Sequence, residues 1–270
     1  MAKLQTHKPR HSSATWPEFR SGCANLPDAL SFSRRIGRFA GDLRTVRLVM
    51  AVGIILMGAV WLHQHPQHNP WAPLDLREPY GLATSAKLQS LRDDVQTCRS
   101  VLERSEVAFQ ILPPDEGQQD QCRRSDKTVL PGLPLSPDRP VASCPVLAAF
   151  EIWLEQTVRP AAIEIFEEDI ASVEHLGTYS CRRIGNSAEG TWSEHAQGNA
   201  IDIAAFNLTN GRRISVLDDW NGEDREQEFL NAVRDGACSV YATVLSPDYN
   251  AAHRDHFHFD QSKRFGGVCR

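Results

Sequence analysis

The stretch HRDHFHFD, residues 253–260, puts three of the chain's ten histidines within six positions, with carboxylates at Asp255 and Asp260. A second stretch, SEHAQGNAID at 193–202, holds His195 and Asp202 in one short run. Imidazole and carboxylate at this density suit a divalent transition metal, zinc above all. A catalytic zinc site takes three protein ligands from His, Asp, Glu and Cys and keeps one position for water. Strand alternation puts Gly198, Ala200 and Asp202 on one face, and the two small residues leave room beside a carboxylate that points into a cleft. His256 and His258 likewise share a strand face. If the two strands are neighbours, His195, Asp202 and one of these two histidines converge. Two neutral imidazoles and one carboxylate leave Zn2+ with net positive charge, which lowers the pKa of a bound water to about 7. Each stretch is ordinary alone, because histidine pairs are common on solvated strands. The reading rests on the two having a use in the same site.

Several elements must position these residues. VEHLGTYSCRRI (173–184), NAIDIAAF (199–206), RRISVL (212–217), SVYATVL (239–245) and HFHFD (256–260) are short β-branched or aromatic runs separated by Gly, Asn, Asp and Pro, and read as strands. EVAFQIL (106–112) and TVL (128–130) are shorter strand candidates around a Pro/Gly/Asp-rich loop, 113–143. Leu82, Leu88, Leu91, Val95, Cys98 and Leu102 recur at helical spacing. Ser143 is a capping hydroxyl with Pro145 in the first turn of a helix that includes LAAFEIWLEQTV. Pro160 breaks or kinks that helix, and AAIEIFEEDI resumes it. DREQEFLNAVRDGA (224–237) is one more amphipathic helix, stopped by Gly236. Helices first and strands later predict an α+β domain: a small antiparallel sheet, flanked by helices, that carries a mononuclear zinc site.

The chain has 270 residues, 41% of them hydrophobic, and a net charge of −5. That supports a sizeable core and gives no global attraction to nucleic acid. Local basicity lies at the N-terminus, where residues 1–47 carry nine Lys/Arg against three acids and read as a disordered tail. LVMAVGIILMGAVWL (48–62) follows without a charge. It is shorter than the roughly 20 residues of a usual span. Arg44 and Arg47 flank it on one side only, Trp61 stands at its other end, and HQHPQHNPWAP offers no small-residue cleavage site. These features predict a membrane-anchor helix with a cytoplasmic N-terminus. The expected order is tail 1–47, anchor 48–62, linker 63–80 and domain 81–270, as a single-pass inner-membrane protein with a periplasmic C-terminal domain. Of seven cysteines, Cys23 precedes the anchor. Cys98, Cys122, Cys144, Cys181, Cys238 and Cys269 follow it and read as disulfides of an oxidising compartment, in any of 15 connectivities.

SEHAQGNAID resembles the S-x-H-x-x-G-x-A-x-D motif of zinc D-Ala-D-Ala carboxypeptidases and dipeptidases. HFH resembles the closing HxH of the wider group that includes lysostaphin-type and penicillin-insensitive murein endopeptidases. More closely, residues from about Cys98 to Arg270 resemble the bacterial extensin-like C-terminal domain family, through YSCR (179–182), SEHAQGNAIDIAAF (193–206), NGRRISV (210–216), TVLSP (243–247), HRDHFHFD and the terminal CR. Nothing here resembles the hydroxyproline-rich repeats of plant extensins. The resemblance implies that His195, Asp202 and His258 are zinc ligands and that His256 stands beside the metal's water, as general base or to steady the oxyanion. Asp255 matches the Glu of the carboxypeptidases' E-x-x-H, one methylene shorter. His253 gives the H-x-x-H-x-H spacing of the murein endopeptidases. The base is therefore His256, Asp255 or His253. Arg182 matches a strand arginine that holds substrate. The implied activity is zinc-dependent hydrolysis of peptidoglycan stem peptides, as a carboxypeptidase or an endopeptidase. The competing expectation is a non-catalytic zinc-containing wall-binding module.

Overall fold

The computed structural model describes residues 29–117, 119–263 and 267–270. The chain divides into two units between Met57 and Gly58. The first contains most of helix α1 (Ala29–Gln64). Within that helix Gly41–Gln64 is long and apolar enough to cross a membrane, and side chains such as Ile55 and Met57 are exposed. Two expected boundaries are corrected. The helix begins inside the 1–47 segment read as disordered, and it extends past the 48–62 anchor. No proline falls between Pro27 and Pro66, so no residue there lacks the N–H that a continuing helix needs. Residues 1–28, with Cys23, lie outside the described residues.

The second unit is built from helices α2 (Thr84–Ser90), α3 (Val95–Arg104), α4 (Cys144–Trp153), α5 (Arg159–Phe166), α6 (Val216–Asp219) and α7 (Asp224–Ala237). Strands β1 (Gln110–Ile111) and β2 (Thr128–Val129) form a small antiparallel pair. The main sheet contains β3 (Leu135–Ser136), β4 (Ile170–Gly177), β5 (Ala200–Leu208), β6 (Arg213–Ser215), β7 (Thr243–Leu245), β8 (Phe257–Asp260) and β9 (Val268–Cys269). Its order is β3-β4-β5-β8-β7-β9, with β6 also paired to β5. The mixed α and β character follows the sequence reading, but the small antiparallel sheet does not. The sheet has seven strands, and β3 runs parallel to β4 as β9 does to β7. Both parallel additions are two-residue strands in segments without strand periodicity. One lies in the proline-rich loop, the other in a tail pinned by the Cys238–Cys269 disulfide.

Alternation along the two central strands separates core from site. In β8, Phe257 and Phe259 are fully buried while His258 lies between them. In β5, Ile201 and Ile203 are fully buried on either side of Asp202. Helix α4 packs on the apolar face: Trp153 meets Phe259 edge-on at 5.2 Å and Phe150 at 5.3 Å between ring centres. Phe206 of β5 crosses Phe229 of α7 at 5.1 Å. Each such ring contributes about 1.5–3 kcal/mol by leaving water, so the apolar layer holds the two central strands from behind.

Several local expectations are revised. The helix expected from Leu82 to Leu102 is two helices, because the Asp94 carboxylate accepts from Thr97 N–H at 2.9 Å and starts α3 anew; Leu82 itself is exposed. Pro160 does not break its helix. The five residues before α5, Leu154–Val158, form a π-turn, which takes up the hydrogen bond a proline cannot make. Ser143 does not cap α4: its hydroxyl donates to Asn199 Oδ1, and Asp126 accepts from Cys144 N–H instead. Only Arg213–Ser215 of RRISVL is strand; Ser215 then caps α6 through Asp218 N–H. VEHLGTYSCRRI ends as strand at Gly177, whose φ of +124° lies outside the strand region. The 63–80 segment is no free linker, since Leu74 and Leu76 are buried in the core.

All six cysteines after the apolar helix are paired: Cys98–Cys144, Cys122–Cys181 and Cys238–Cys269. The middle bridge, whose ends are 59 positions apart in the sequence, ties the irregular loop to the segment that carries Arg182. A loop of that length restricts the unfolded chain by about 4 kcal/mol. Replacing Cys122 and Cys181 together by Ala is expected to lower unfolding free energy by about 2–5 kcal/mol. Urea denaturation followed by tryptophan fluorescence measures it. A change well under 1 kcal/mol would show that the bridge constrains nothing.

Candidate functional site

His195 is carried by a short 3-10 turn, Glu194–Gln197, and not by the start of a strand. Ser193 Oγ accepts from His195 N–H at 3.3 Å. Gly198 ends the turn with φ +68°, a left-handed conformation that glycine adopts without strain. Gly198 therefore closes the turn and does not share a strand face with Ala200 and Asp202, as alternation had suggested. Asp202 lies in β5 directly opposite His258 of β8 in the antiparallel ladder. Side chains opposed in this way lie close together.

The three side chains meet. His195 Nε2 is 3.1 Å from Asp202 Oδ1 and 3.1 Å from His258 Nδ1, and His258 Nδ1 is 2.9 Å from Asp202 Oδ1. Each imidazole gives its outer N–H to an acceptor. His195 Nδ1–H donates to the Thr178 carbonyl at 3.2 Å. His258 Nε2–H donates to Asp260 Oδ2 at 3.1 Å, and Asp260 in turn accepts from Ser262 N–H. With the outer nitrogens protonated, the inner nitrogens present lone pairs. Three lone-pair atoms then crowd one buried spot and require a cation among them. Zinc bonds of about 2.0–2.1 Å in tetrahedral array hold ligand atoms about 3.3–3.4 Å apart, close to the spacing found. Among the described residues this is the one group of His, Cys, Asp and Glu gathered tightly enough to hold a metal ion. His195, Asp202 and His258 could hold one, and His256 is not in the group.

Electrostatics follow from the same contacts. Burial works against an ionised Asp202, but its contacts with the His195 and His258 rings outweigh it and hold the carboxyl far below the usual range. Burial also works against a charged His258. The carboxylates of Asp202 and Asp260 outweigh it and raise that imidazole to about 9. Without a metal, the cation among the three is thus a proton on His258.

The group lies in a cleft of about 490 Å³ lined also by Arg182, Trp192, Tyr249, His253 and His256. His256 Nδ1–H donates to Asp255 Oδ1 at 2.9 Å, which leaves Nε2 facing Asp202 Oδ1 at 3.7 Å. Asp255 thus orients His256 and spends its short reach there. His253 donates from Nδ1 to Asn250 Oδ1 at 2.8 Å. Burial, and then the neighbouring His256 and His258, push its pKa down to about 4, so it is neutral at pH 7. Arg182 lies in the irregular chain after β4, not on a strand. Among the described residues its guanidinium has no ion pair. Trp192 lies under the Arg183 guanidinium at 4.5 Å. Trp220 is a core residue against Phe257. His175 bonds the Asp138 carbonyl and takes no part. Sequence reasoning did not find Thr178, Tyr249, Arg92 or Glu194. Only their position in space marks them, and no spacing in the chain encodes it.

The His258 shift predicts a pH dependence. Its folded pKa of about 9 exceeds the unfolded value of about 6.5. The proton's contribution is fully present below about pH 6.5 and lost as pH rises through about 9, on the order of 3 kcal/mol in all. Chelator-treated protein should lose urea resistance across that window, and His258→Gln should lack the slope. An equal slope in both proteins would remove His258 as its source.

No curated protein and no solved structure matches the chain. A family model, described as extensin-like protein C-terminus, matches residues 96–270. The matched stretch takes in all three disulfides, both central strands and every side chain of the converging group. It spans well over half of the chain, which belongs to the extensin-like protein C-terminus family.

Proposed function

We propose that the chain is a zinc-dependent peptidase of the cell envelope that acts on peptidoglycan stem peptides. The observation that carries this reading is the convergence of His195 Nε2, Asp202 Oδ1 and His258 Nδ1 at about 3 Å from one another in an accessible cleft. Both imidazoles are already turned by outer acceptors, as metal-bound histidines are. Zinc held there supplies Lewis acidity, which polarises a peptide carbonyl and acidifies water. The protein's own residues do the rest. His256, oriented by Asp255, takes a proton at Nε2 and returns it to the leaving amine. His253 keeps a neutral ring beside it. Arg182 offers an unpaired guanidinium to a substrate carboxylate or carbonyl, which its planar fork suits. The stem-peptide substrate and the carboxypeptidase or endopeptidase choice rest on motif resemblance. Within the apolar helix Gly41–Gln64, Arg44 and Arg47 lie toward the N-terminal end, before the charge-free run 48–62, which supports a cytoplasmic N-terminus and a periplasmic domain.

The test uses the full chain in detergent, because Leu74 and Leu76 belong to the core and a fragment begun at residue 80 would lack them. Zinc content is measured, with release of peptide fragments from purified sacculi. The wild type should hold one zinc and release fragments. His195→Ala should lose both. His256→Ala should keep zinc and lose about 10²–10⁴-fold in turnover, the usual worth of a positioned acid–base group. Zinc without turnover in the wild type would favour the non-catalytic wall-binding module, and absence of zinc would end both readings.

A further inference from the structure

Arg92 lies just outside the family-matched residues 96–270, between α2 and α3. Its side chain is 20% exposed and its guanidinium is fully engaged across the site. Nη2 contacts Glu194 Oε2 at 3.0 Å. Nη1 donates to the Gln261 carbonyl at 2.9 Å. Glu194 immediately precedes His195. Gln261 immediately follows Asp260, the acceptor that turns His258. The two acceptors are joined a second time through Asn199: its Nδ2 donates to Glu194 Oε2 at 2.6 Å, and its carbonyl accepts from Gln261 N–H at 3.3 Å. Asn199 Oδ1 takes the Ser143 hydroxyl at the start of α4. Gln261 is itself fixed by Nε2–H on the Val240 carbonyl. Next along from Arg92, Asp93 pairs with Lys263.

We propose that Arg92 is a positioning residue for the metal group: one planar fork sets the distance between the turn that carries His195 and the strand end that carries His258 and Asp260. Geometry singles out arginine. The two acceptors belong to segments far apart in the sequence, and one rigid plane reaches both, with an ion-pair contact from Nη2 to Glu194 and a hydrogen bond from Nη1 to the Gln261 carbonyl, which a lysine ammonium cannot reproduce at both places. Besides the fork, the His195 turn is held by Ser193, Gly198 and the Asn199 link, so loss of the fork loosens the turn against β8 without releasing it. The functional site then includes the helical segment before residue 96, which supplies Arg92 and also buries Leu88 and Leu91 in the core.

The inference rests on the metal reading above, and the experiment separates the two. Full chain in detergent is stripped of metal, and Zn2+ affinity is measured by competition with a chelating dye for wild type, Arg92→Ala, Arg92→Lys and Glu194→Gln. The visible spectrum of the Co2+-loaded forms reports ligand geometry, and the melting temperature of each metal-free form reports general damage. Arg92→Ala and Arg92→Lys are both expected to weaken Zn2+ binding about 10–100-fold, the usual effect of losing a group that orients a ligand, with altered Co2+ bands and little change in metal-free melting. Glu194→Gln should weaken binding less, because its amide oxygen still accepts from Arg92. Unchanged affinity and Co2+ bands in Arg92→Ala would overturn the proposal while leaving the metal reading intact. Full retention by Arg92→Lys would overturn the role of the fork. A melting loss that accounts for all of the affinity loss would make Arg92 merely structural. A wild type that binds no Zn2+ would end the metal reading and this proposal with it.

Discussion

The antiparallel register that sets Asp202 across from His258 is the constraint on which the rest depends. A shift of either strand by one residue would turn its own side chain, Asp202 or His258, into the apolar layer and bring Ile203 or Phe257 to the cleft. The register is held from the other side. Ile201, Ile203, Phe257 and Phe259 are fully buried, and a slip would expose the two on the strand that moves, at about 1.5–3 kcal/mol each. The hydrophobic core therefore does more than stabilise the domain: it decides which side chains face the cleft. The polar group is unfavourable in itself, because it crowds a carboxylate and two imidazoles where water is scarce, and it stays assembled because that core leaves no alternative.

The surrounding polar contacts form a consistent outward sequence. Thr178 and Asp260 take the outer N–H groups of the two imidazoles. Ser262 N–H then fixes Asp260, and the Thr243 and Ser262 hydroxyls bond each other. The Cys122–Cys181 bridge fixes the chain just before Arg182 and not far beyond Thr178. Each contact removes a rotation that would point a lone pair away from the centre. A solvated strand of histidines needs none of this, because water satisfies such rings in any orientation. Acceptors already in place on both outer nitrogens distinguish a built site from a polar surface.

Much of this was legible in the sequence, and what was not has physical reasons. HFHFD alternates ring and imidazole, so which residues would face together could be read at once. DREQEFLNAVRDGA became α7 over the same residues, because its apolar period is local; Gly236 does not stop it but lies inside the helix, where Thr157 packs against it. The three residues that converge came from two stretches whose small and charged positions fitted one purpose. The sheet's true size was not legible, because two-residue parallel strands carry no pattern and depend on a disulfide or a loop to bring them in. The division of the helix near Asp94 was hidden, since a capping aspartate inside an apolar period looks like any solvated acid. The buried linker was misread because Pro and His dominate its composition, while only Leu74 and Leu76 anchor it.

Whether the centre can turn over substrate depends on His256. Its Nε2 stands 3.7 Å from Asp202 Oδ1, near the edge of the triangle, while its other nitrogen is held by Asp255. Each histidine of the converging group gives its outer N–H to a buried acceptor, Thr178 for His195 and Asp260 for His258. His256 instead gives it to Asp255, whose side chain is 44% exposed. A hydrogen bond to a solvated carboxylate keeps the ring oriented yet leaves the pair open to exchange protons with water. That suits a group that must accept a proton and release it in each cycle, and it suits a permanent fourth ligand poorly. The difference between the buried acceptors and the solvated one is the physical basis for proposing His256, and not a ring of the converging group, as the proton carrier.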